Sequence, residues 1–362
     1  MAIKQYYNKR IVWSVERMNN RYWVAFLAAF LLILLGQPVS AQSLEQLFRE
    51  GNAAQQGGEY SQAESIWRRI IRVFPQNAAA YVNLGLALVE QGQYDEAIAA
   101  YQQAIEYNPQ NPLAYNNLGN AFKAQGELQT AQSAYQQAID LDQDFAIAYS
   151  NLGVVLRELG QLDAAIEAYQ QAIASDENYA QAYNNLGNAY FAQGNLDAAI
   201  EAYLQALQIE ANAVRYYNLG VALAAQDRYE EAIEAYQNAI NVNPSYGEAY
   251  VNLGLVYKRL GQVEQAIETY QQAIEKTGEN PYAYTNLGNA YSQLERYQEA
   301  VAAHRRAVEL APNAIRYNNL GTSLAQQERY EEAVTQFQQA LDLDPDYVTA
   351  RRNLEAVEAL LE

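Results

Sequence analysis

Asparagine recurs at a fixed interval through most of this 362-residue chain, and these side chains are the clearest candidates for a chemical role. Successive members of the series are 33 or 34 residues apart. The series comprises Asn83, Asn117, Asn151, Asn185, Asn218, Asn252, Asn286 and Asn319. An amide side chain both donates and accepts hydrogen bonds, so a row of amides could hold a peptide backbone without reading its side chains. The other interpretation is a purely structural row, and the sequence leaves both open.

Three cations stand near this row. Lys123, Arg157 and Lys258 each follow an asparagine of the series by six residues. On an acidic protein these cations could meet a carboxylate or an acidic segment of a partner.

The residues that usually perform catalysis are sparse. Cysteine is absent, which removes disulfides, thiolate nucleophiles and zinc–cysteine sites. The single histidine, His304, stands where other repeats carry tyrosine or phenylalanine, so we expect a core residue rather than a functional histidine. No phosphate-binding glycine loop, metal-ligand spacing or nucleophile motif occurs. We therefore expect no enzymatic activity, no metal site and no cofactor.

The asparagines lie inside a repeated motif, Tyr-x-Asn-Leu-Gly. A fixed period of this length is typical of a solenoid, in which each repeat contacts only its neighbours. Apolar residues recur at three- and four-residue spacing twice in each repeat, which predicts an all-α solenoid of antiparallel helix pairs. We expect nine repeats and a C-terminal capping helix at 348–362. The repeats are 44–77, 78–111, 112–145, 146–179, 180–212, 213–246, 247–280, 281–313 and 314–347.

Glycine and proline mark the ends and contacts of the predicted helices. A glycine stands at the eighth residue of every repeat, as at Gly153, and an alanine at the twentieth, as at Ala165. Because glycine inside a helix costs about 1 kcal/mol against alanine, we expect this glycine to let the paired helix and its alanine approach closely. A second glycine, such as Gly160, falls in the turn, where positive φ is useful. Pro112 and Pro281 are expected to open first helices.

The pattern of Leu-Gly, Tyr, Ala, Tyr and Pro at a 34-residue period resembles the tetratricopeptide repeat. The resemblance covers nearly everything from Leu44 to Tyr347. It departs at the closing proline, which Gln143, Glu177, Ala211 and Gly278 replace, and in two repeats that are one residue short.

The resemblance implies a right-handed superhelix whose first helices line a concave groove, with the asparagine position pointing into it. The asparagine series is similar to the ladder in the repeat domain of O-linked N-acetylglucosamine transferase. Nothing in this chain resembles the catalytic domain of that enzyme. The cations do not reproduce the lysine and asparagine pattern of chaperone-tail clamps.

The formal net charge of the chain is −19. An acidic protein is poorly suited to bind nucleic acid or anionic lipid, so we expect neither as a partner.

Residues 1–41 look like a targeting segment. An uncharged apolar run at 22–35 follows Arg17 and Arg21, and short side chains precede a predicted cleavage between Ala41 and Gln42. The run is short for a membrane span. We expect an exported, periplasmic or extracytoplasmic protein. The alternative is an uncleaved membrane anchor at 22–35, and Met18 is an alternative start.

The sequence therefore favours a non-enzymatic scaffold that binds a protein or peptide segment in its groove. The alternative is a regulatory or substrate-presenting subunit of an envelope-associated enzyme complex.

Overall fold

The computed structural model describes residues 41–362, which form nineteen α-helices and no strand. Consecutive helices are joined by short turns and pack as antiparallel pairs, so the all-α solenoid that the sequence predicts is confirmed. The predicted leader, with its apolar run at 22–35 and the alternative start at Met18, lies outside the described residues. Ala41 and Gln42, which flank the predicted cleavage site, begin the first described helix. Within residues 41–362, no helix is both long and apolar enough to cross a bilayer.

The described chain divides into two compact units, of which the N-terminal unit ends at Leu141. Its helices are α1 (Ala41–Gln56), α2 (Tyr60–Val73), α3 (Ala78–Glu90), α4 (Tyr94–Tyr107), α5 (Pro112–Ala124) and α6 (Leu128–Leu141). Its core is built from alanines and large side chains such as Trp67 and Tyr101, both almost fully buried. The rings of Phe48 and Trp67 meet edge to face with centroids 5.3 Å apart, which is a favourable aromatic geometry.

The C-terminal unit spans Asp142–Glu362 and holds six helix pairs and a last single helix. Its helices are α7 (Ala146–Glu158), α8 (Leu162–Ser175), α9 (Ala180–Gln193), α10 (Leu196–Ile209), α11 (Ala213–Ala225), α12 (Tyr229–Val242), α13 (Gly247–Arg259), α14 (Val263–Thr277), α15 (Pro281–Gln293), α16 (Tyr297–Leu310), α17 (Ala314–Gln326), α18 (Tyr330–Leu343) and α19 (Val348–Glu358). Each pair packs on the next, and the buried apolar residues form several clusters that each join neighbouring repeats.

Local residues explain where the helices begin and turn. Pro281 occupies the first turn of α15, as expected, and the side chain of Asn280 caps that helix. In the turn between α7 and α8, Gly160 has φ +76°, a left-handed conformation that suits glycine. The same turn position holds Glu328 between α17 and α18, with φ +60°, where a side chain is strained.

The predicted contact of the helical glycines with alanine is wrong. A Cβ atom added to Gly153 would lie 2.6 Å from Cε1 of Tyr169, and its three nearest neighbours are all atoms of that ring. Tyr169 lies one helical turn beyond Ala165, and a long helical side chain leans back toward the N-terminus of its helix. The aromatic ring therefore covers the glycine. The same arrangement holds at Gly51, where the ring is that of Trp67.

The two short repeats are compensated by arginine. Each repeat that follows a short one has arginine, Arg215 or Arg316, at its third residue, where the other full repeats have alanine. Arg215 Nη1 donates to the carbonyl oxygen of Glu210 at 2.6 Å, and Arg316 Nη1 donates to that of Ala311 at 2.8 Å. Glu210 and Ala311 are the C-cap residues of α10 and α16. At each shortened loop, the arginine side chain therefore donates to a backbone carbonyl at the end of the preceding helix.

Candidate functional site

The first helices of the C-terminal unit form one continuous surface. Helices α7 and α9 are in contact across a repeat boundary, and so are α9 and α11, α11 and α13, α13 and α15, α15 and α17, and α17 and α19. Within residues 142–362, no neighbouring second helices make comparable contacts. The first-helix side is therefore the tighter side of this unit. We call its solvent-facing surface, at positions 2, 6, 9 and 12 of each repeat, the inner face.

The predicted asparagines occupy position 6 on this surface. Their side chains in the C-terminal unit are half-buried. In the N-terminal unit Asn83 is also half-buried, whereas Asn117 is only 6 % exposed. The row on the inner face comprises Asn151, Asn185, Asn218, Asn252, Asn286 and Asn319.

Several of these amides hold neighbouring repeats together. Asn218 Nδ2 donates to Oδ1 of Asn184, at position 5 of the preceding repeat, over 3.0 Å. Asn252 Nδ2 donates in the same way to the hydroxyl of Tyr217, also at 3.0 Å. The capping helix continues the pattern, since Asn353 donates to the preceding repeat. The amides thus form inter-repeat hydrogen bonds, which supports the structural interpretation of the row.

Two amides of the row, Asn286 and Asn319, lack this bond in the described chain, although the repeat before Asn319 presents the Thr285 hydroxyl. The repeat before Asn286 presents Val251, which has no acceptor, and the Asn286 side chain makes no hydrogen bond within the described chain. Where the bond forms, part of the amide is still available. Within residues 41–362, Oδ1 of Asn218 accepts no hydrogen bond. The row therefore combines structural donors with acceptors that a ligand could use.

A second row, which the sequence argument missed, consists of apolar residues at position 2. Ile147, Val214, Tyr282 and Ile315 are 48 %, 50 %, 67 % and 58 % exposed. Position 2 lies one helical turn before position 6, so this row runs beside the amides. The sequence carried a partial signal, because position 2 is apolar in these four repeats of the C-terminal unit although it is Gln181 and Glu248 in the other two.

Two cavities lie on the inner face, one on each side of Asn252. One, of about 570 Å³, is lined by Tyr217, Glu248, Val251 and Tyr282 among others. The other has a volume of about 330 Å³ and a mixed polar and apolar lining. Its lining residues include Val221, Tyr236, Leu255 and Arg259. Each is large enough to receive a side chain of a bound segment.

The predicted cations differ in exposure. Arg157 is exposed, whereas Lys258 and, in the N-terminal unit, Lys123 are half-buried. Across residues 41–362, none of the three forms an ion pair with a carboxylate. Burial raises the pKa of Tyr169 to about 12, and the nearby Arg157 guanidinium acts in the opposite direction.

His304 is a core residue, as the sequence predicts. Its ring covers Gly288, the helical glycine of its repeat, and only 2 % of the residue is exposed. Burial lowers its pKa to about 4, so it is neutral at pH 7. Nδ1 lies 2.9 Å from the Ser323 hydroxyl and Nε2 lies 3.2 Å from Oδ1 of Asn289. The amide oxygen can only accept, so Nε2 carries the proton and Ser323 donates to Nδ1.

This histidine network is closed to substrates, because Ser323 is only 1 % exposed. No three histidine, aspartate or glutamate side chains of the described chain lie close enough together to bind a metal ion.

Comparison with known proteins places the chain among repeat proteins. Residues 145–344 match the family model of the cilia and flagella-associated protein 70 C-terminal domain. Tetratricopeptide repeat models match 47–77, 66–99, 85–126 and 119–156. No curated protein matches the chain.

Three solved structures are among those similar to the chain. The Cut9–Hcn1 hetero-tetramer of the APC/C matches with a TM-score of 0.50 at 15 % identity, covering 87 % of this chain and 76 % of that one. MamA is 30 % identical, with a TM-score of 0.41 over 44 % of this chain and 94 % of its own. YrrB, described as having an unusual peptide-binding site, is 22 % identical, with a TM-score of 0.41 over 61 % of this chain and 97 % of its own.

Proposed function

This chain belongs to the tetratricopeptide repeat family, and we propose that it is a non-enzymatic scaffold that binds an extended segment of another protein along the inner face. The observation that carries the proposal is the pairing of two rows on that face. One row presents exposed apolar side chains and the other presents amides, so a segment could bury side chains and bond its backbone at once.

The apolar row supplies the stronger argument. Ile147, Val214 and Ile315 are each about half exposed to water. Burying this apolar surface against a bound segment would stabilise the complex through the hydrophobic effect. Together with Tyr282, these three side chains make four of the six residues at position 2 of the C-terminal unit apolar, with Gln181 and Glu248 between them, and exposed apolar residues gathered on one face mark interaction sites more often than scattered single residues do. The two cavities beside Asn252 offer places for individual side chains of the ligand.

The remaining chemistry favours binding over catalysis. The only histidine of the sequence is buried and neutral, and its serine neighbour is buried with it. A general base must reach the proton that it abstracts, so this pair cannot serve a substrate from its present position.

The experiment compares two matched triple variants in affinity capture from the native cells. The inner-face variant carries Ile147→Ser, Val214→Ser and Ile315→Ser. The control carries Leu204→Ser, Val242→Ser and Leu343→Ser on second helices, where the residues are 44 %, 52 % and 57 % exposed. Because all six side chains are similarly exposed, both variants should melt like the wild type.

We expect the inner-face variant to lose the proteins that the wild type captures and the control to retain them. Equal capture by both variants would show that this face does not bind the partner.

We further propose export, which rests on the leader pattern of residues 1–41 alone. N-terminal sequencing of the native protein should find Gln42 first. An intact leader in a carbonate-resistant membrane fraction would instead establish an anchor.

A further inference from the structure

A single carboxylate interrupts the inner face of the C-terminal unit. At positions 2, 6, 9 and 12 of its six repeats, Glu248 is the only acidic residue, although the formal net charge of the chain is −19. The macrodipole of α13 favours an acidic residue in the first turn, where Glu248 lies. The first helices of the other five repeats have no acidic residue there, so the dipole alone does not explain this one.

Glu248 lines the cavity of about 570 Å³ beside Asn252. Its side chain is exposed and forms no ion pair with any residue that the structure describes. The inner-face cation of the same helix, Lys258, lies ten residues further on, about 15 Å away along the helix axis. The other carboxylate of the cavity, Glu279, is paired, because Arg306 Nε donates to it at 3.0 Å. Of the two carboxylates, only Glu248 is left for a ligand.

Tyr217 forms part of the wall of the same cavity and is held in place by two neighbours. Its hydroxyl accepts from Asn252 Nδ2 at 3.0 Å, and its ring meets that of Tyr246 edge to face with centroids 5.2 Å apart. Burial raises the pKa of Tyr217, and the negative charge of nearby Glu248 acts in the same direction. The phenol is therefore neutral at pH 7, and its oxygen keeps a second lone pair for a donor from a ligand.

Tyr282 supplies an apolar surface at the same cavity and is 67 % exposed. The guanidinium carbon of the buried Arg316 lies 5.0 Å from the centroid of its ring, a cation–π contact that holds the ring. A second positive charge against this ring would be repelled by Arg316. The charged end of a ligand therefore belongs beside Glu248, and the ring is suited to cover an apolar stem.

We propose that this cavity binds a basic side chain, lysine or arginine, of the partner segment. The cationic group pairs with Glu248 and donates to the Tyr217 hydroxyl, while its methylene stem packs on Tyr282. This inference rests on the proposed function and specifies its partner as a segment with a basic residue. An apolar side chain in the cavity would desolvate the Glu248 carboxylate without compensation, and an acidic one would be repelled by it.

The test uses the full chain with 3-fluorotyrosine in place of Tyr282 and follows the fluorine resonance by NMR. The probe is N-acetyl-lysine N-methylamide. Its neutral control is N-acetyl-norleucine N-methylamide, which has the same stem without the ammonium group. We expect a saturable shift with the lysine probe and binding of the norleucine probe that is weaker by about threefold or more. Equal binding of the two probes, or saturation with neither, would overturn the proposal.

Two matched substitutions separate the cavity from a general charge effect. Glu248→Gln removes the carboxylate charge with little change in shape, and Glu201→Gln removes one from an exposed site on the second helix α10. We expect Glu248→Gln to weaken binding of the lysine probe about threefold, the scale of an ion pair that water partly screens, and Glu201→Gln to leave it unchanged. Equal affinity of these two variants for the lysine probe would overturn the assignment to Glu248.

The outcome is separable from that of the proposed function. If the inner-face serine variant loses its partner while the lysine and norleucine probes bind equally, the face binds a segment but the cavity does not select a basic side chain. If that variant captures normally, the proposed function itself fails.

Discussion

Replacing Asn218 by alanine tests whether the amide row holds the repeats together. Its Nδ2 donates over 3.0 Å to Oδ1 of Asn184, which belongs to the preceding repeat. Asn184 is only 5 % exposed, so water cannot easily replace the lost donor. The substitution therefore removes one inter-repeat bond and leaves a buried acceptor unsatisfied.

The expected magnitude follows from two opposing effects. Orphaning a buried acceptor costs about 1–3 kcal/mol. Alanine is the better helix former, which returns up to about 0.7 kcal/mol. Asn218→Ala should therefore lower the free energy of unfolding by about 1–2 kcal/mol.

The same row of asparagines contains a matched control, Asn286. Its preceding repeat presents Val251 at position 5, and the Asn286 amide makes no hydrogen bond within the described chain. Asn286→Ala should therefore leave stability unchanged or raise it by up to about 0.7 kcal/mol through helix propensity alone.

Urea melts followed by far-ultraviolet circular dichroism compare the two variants under one condition. The account requires Asn218→Ala to melt at lower urea than the wild type and Asn286→Ala at the same or higher urea. Coincident melts of the two variants would refute the inter-repeat role of the bonded amides.

Three further stability predictions follow from the helical glycines, the histidine and the turns. Gly153→Ala should cost about 1–2 kcal/mol in a urea melt, because the added carbon meets the Tyr169 ring at 2.6 Å and overpacking outweighs the gain in helix propensity; unchanged stability would show that the ring yields freely. The pKa of His304 is about 6.5 in the unfolded chain but about 4 in the folded chain. The unfolded chain therefore takes up the proton first, and the free energy of unfolding decreases as the pH is lowered through this window. Between pH 7 and pH 5 the wild type should lose about 2 kcal/mol more than His304→Tyr, and parallel losses would contradict the assignment. Glu328→Gly should raise stability by about 0.5–1 kcal/mol, since φ is +60° there, and a lower melting temperature would show that the turn is unstrained.

The periodicity of the sequence was sufficient to predict the fold. Glycine and proline occur at repeat-defined positions, and the apolar spacing changes phase only in the turns, so helices such as α15 begin where Pro281 suggests. This works because each repeat uses the same local chemistry, and consistency across repeats removes the ambiguity of any single segment.

Contacts between helices could not be predicted as well. The partner of Gly153 is Tyr169 rather than Ala165, since the direction of a side chain along its helix decides which neighbour it reaches. The bond of Asn218 is made to an acceptor at position 5 of another repeat. The role of Arg316 at a shortened loop likewise requires the geometry of the preceding helix end. Such pairings join residues that only the folded repeats bring together.

The central claim is that the inner face holds the partner, and site-specific photo-crosslinking in the native cells tests it most directly. A photoreactive phenylalanine replaces either Val214 on the inner face or Leu204 on a second helix, which are 50 % and 44 % exposed. The account predicts a discrete crosslinked protein from position 214 and none from position 204. A discrete adduct from position 204 alone would contradict it.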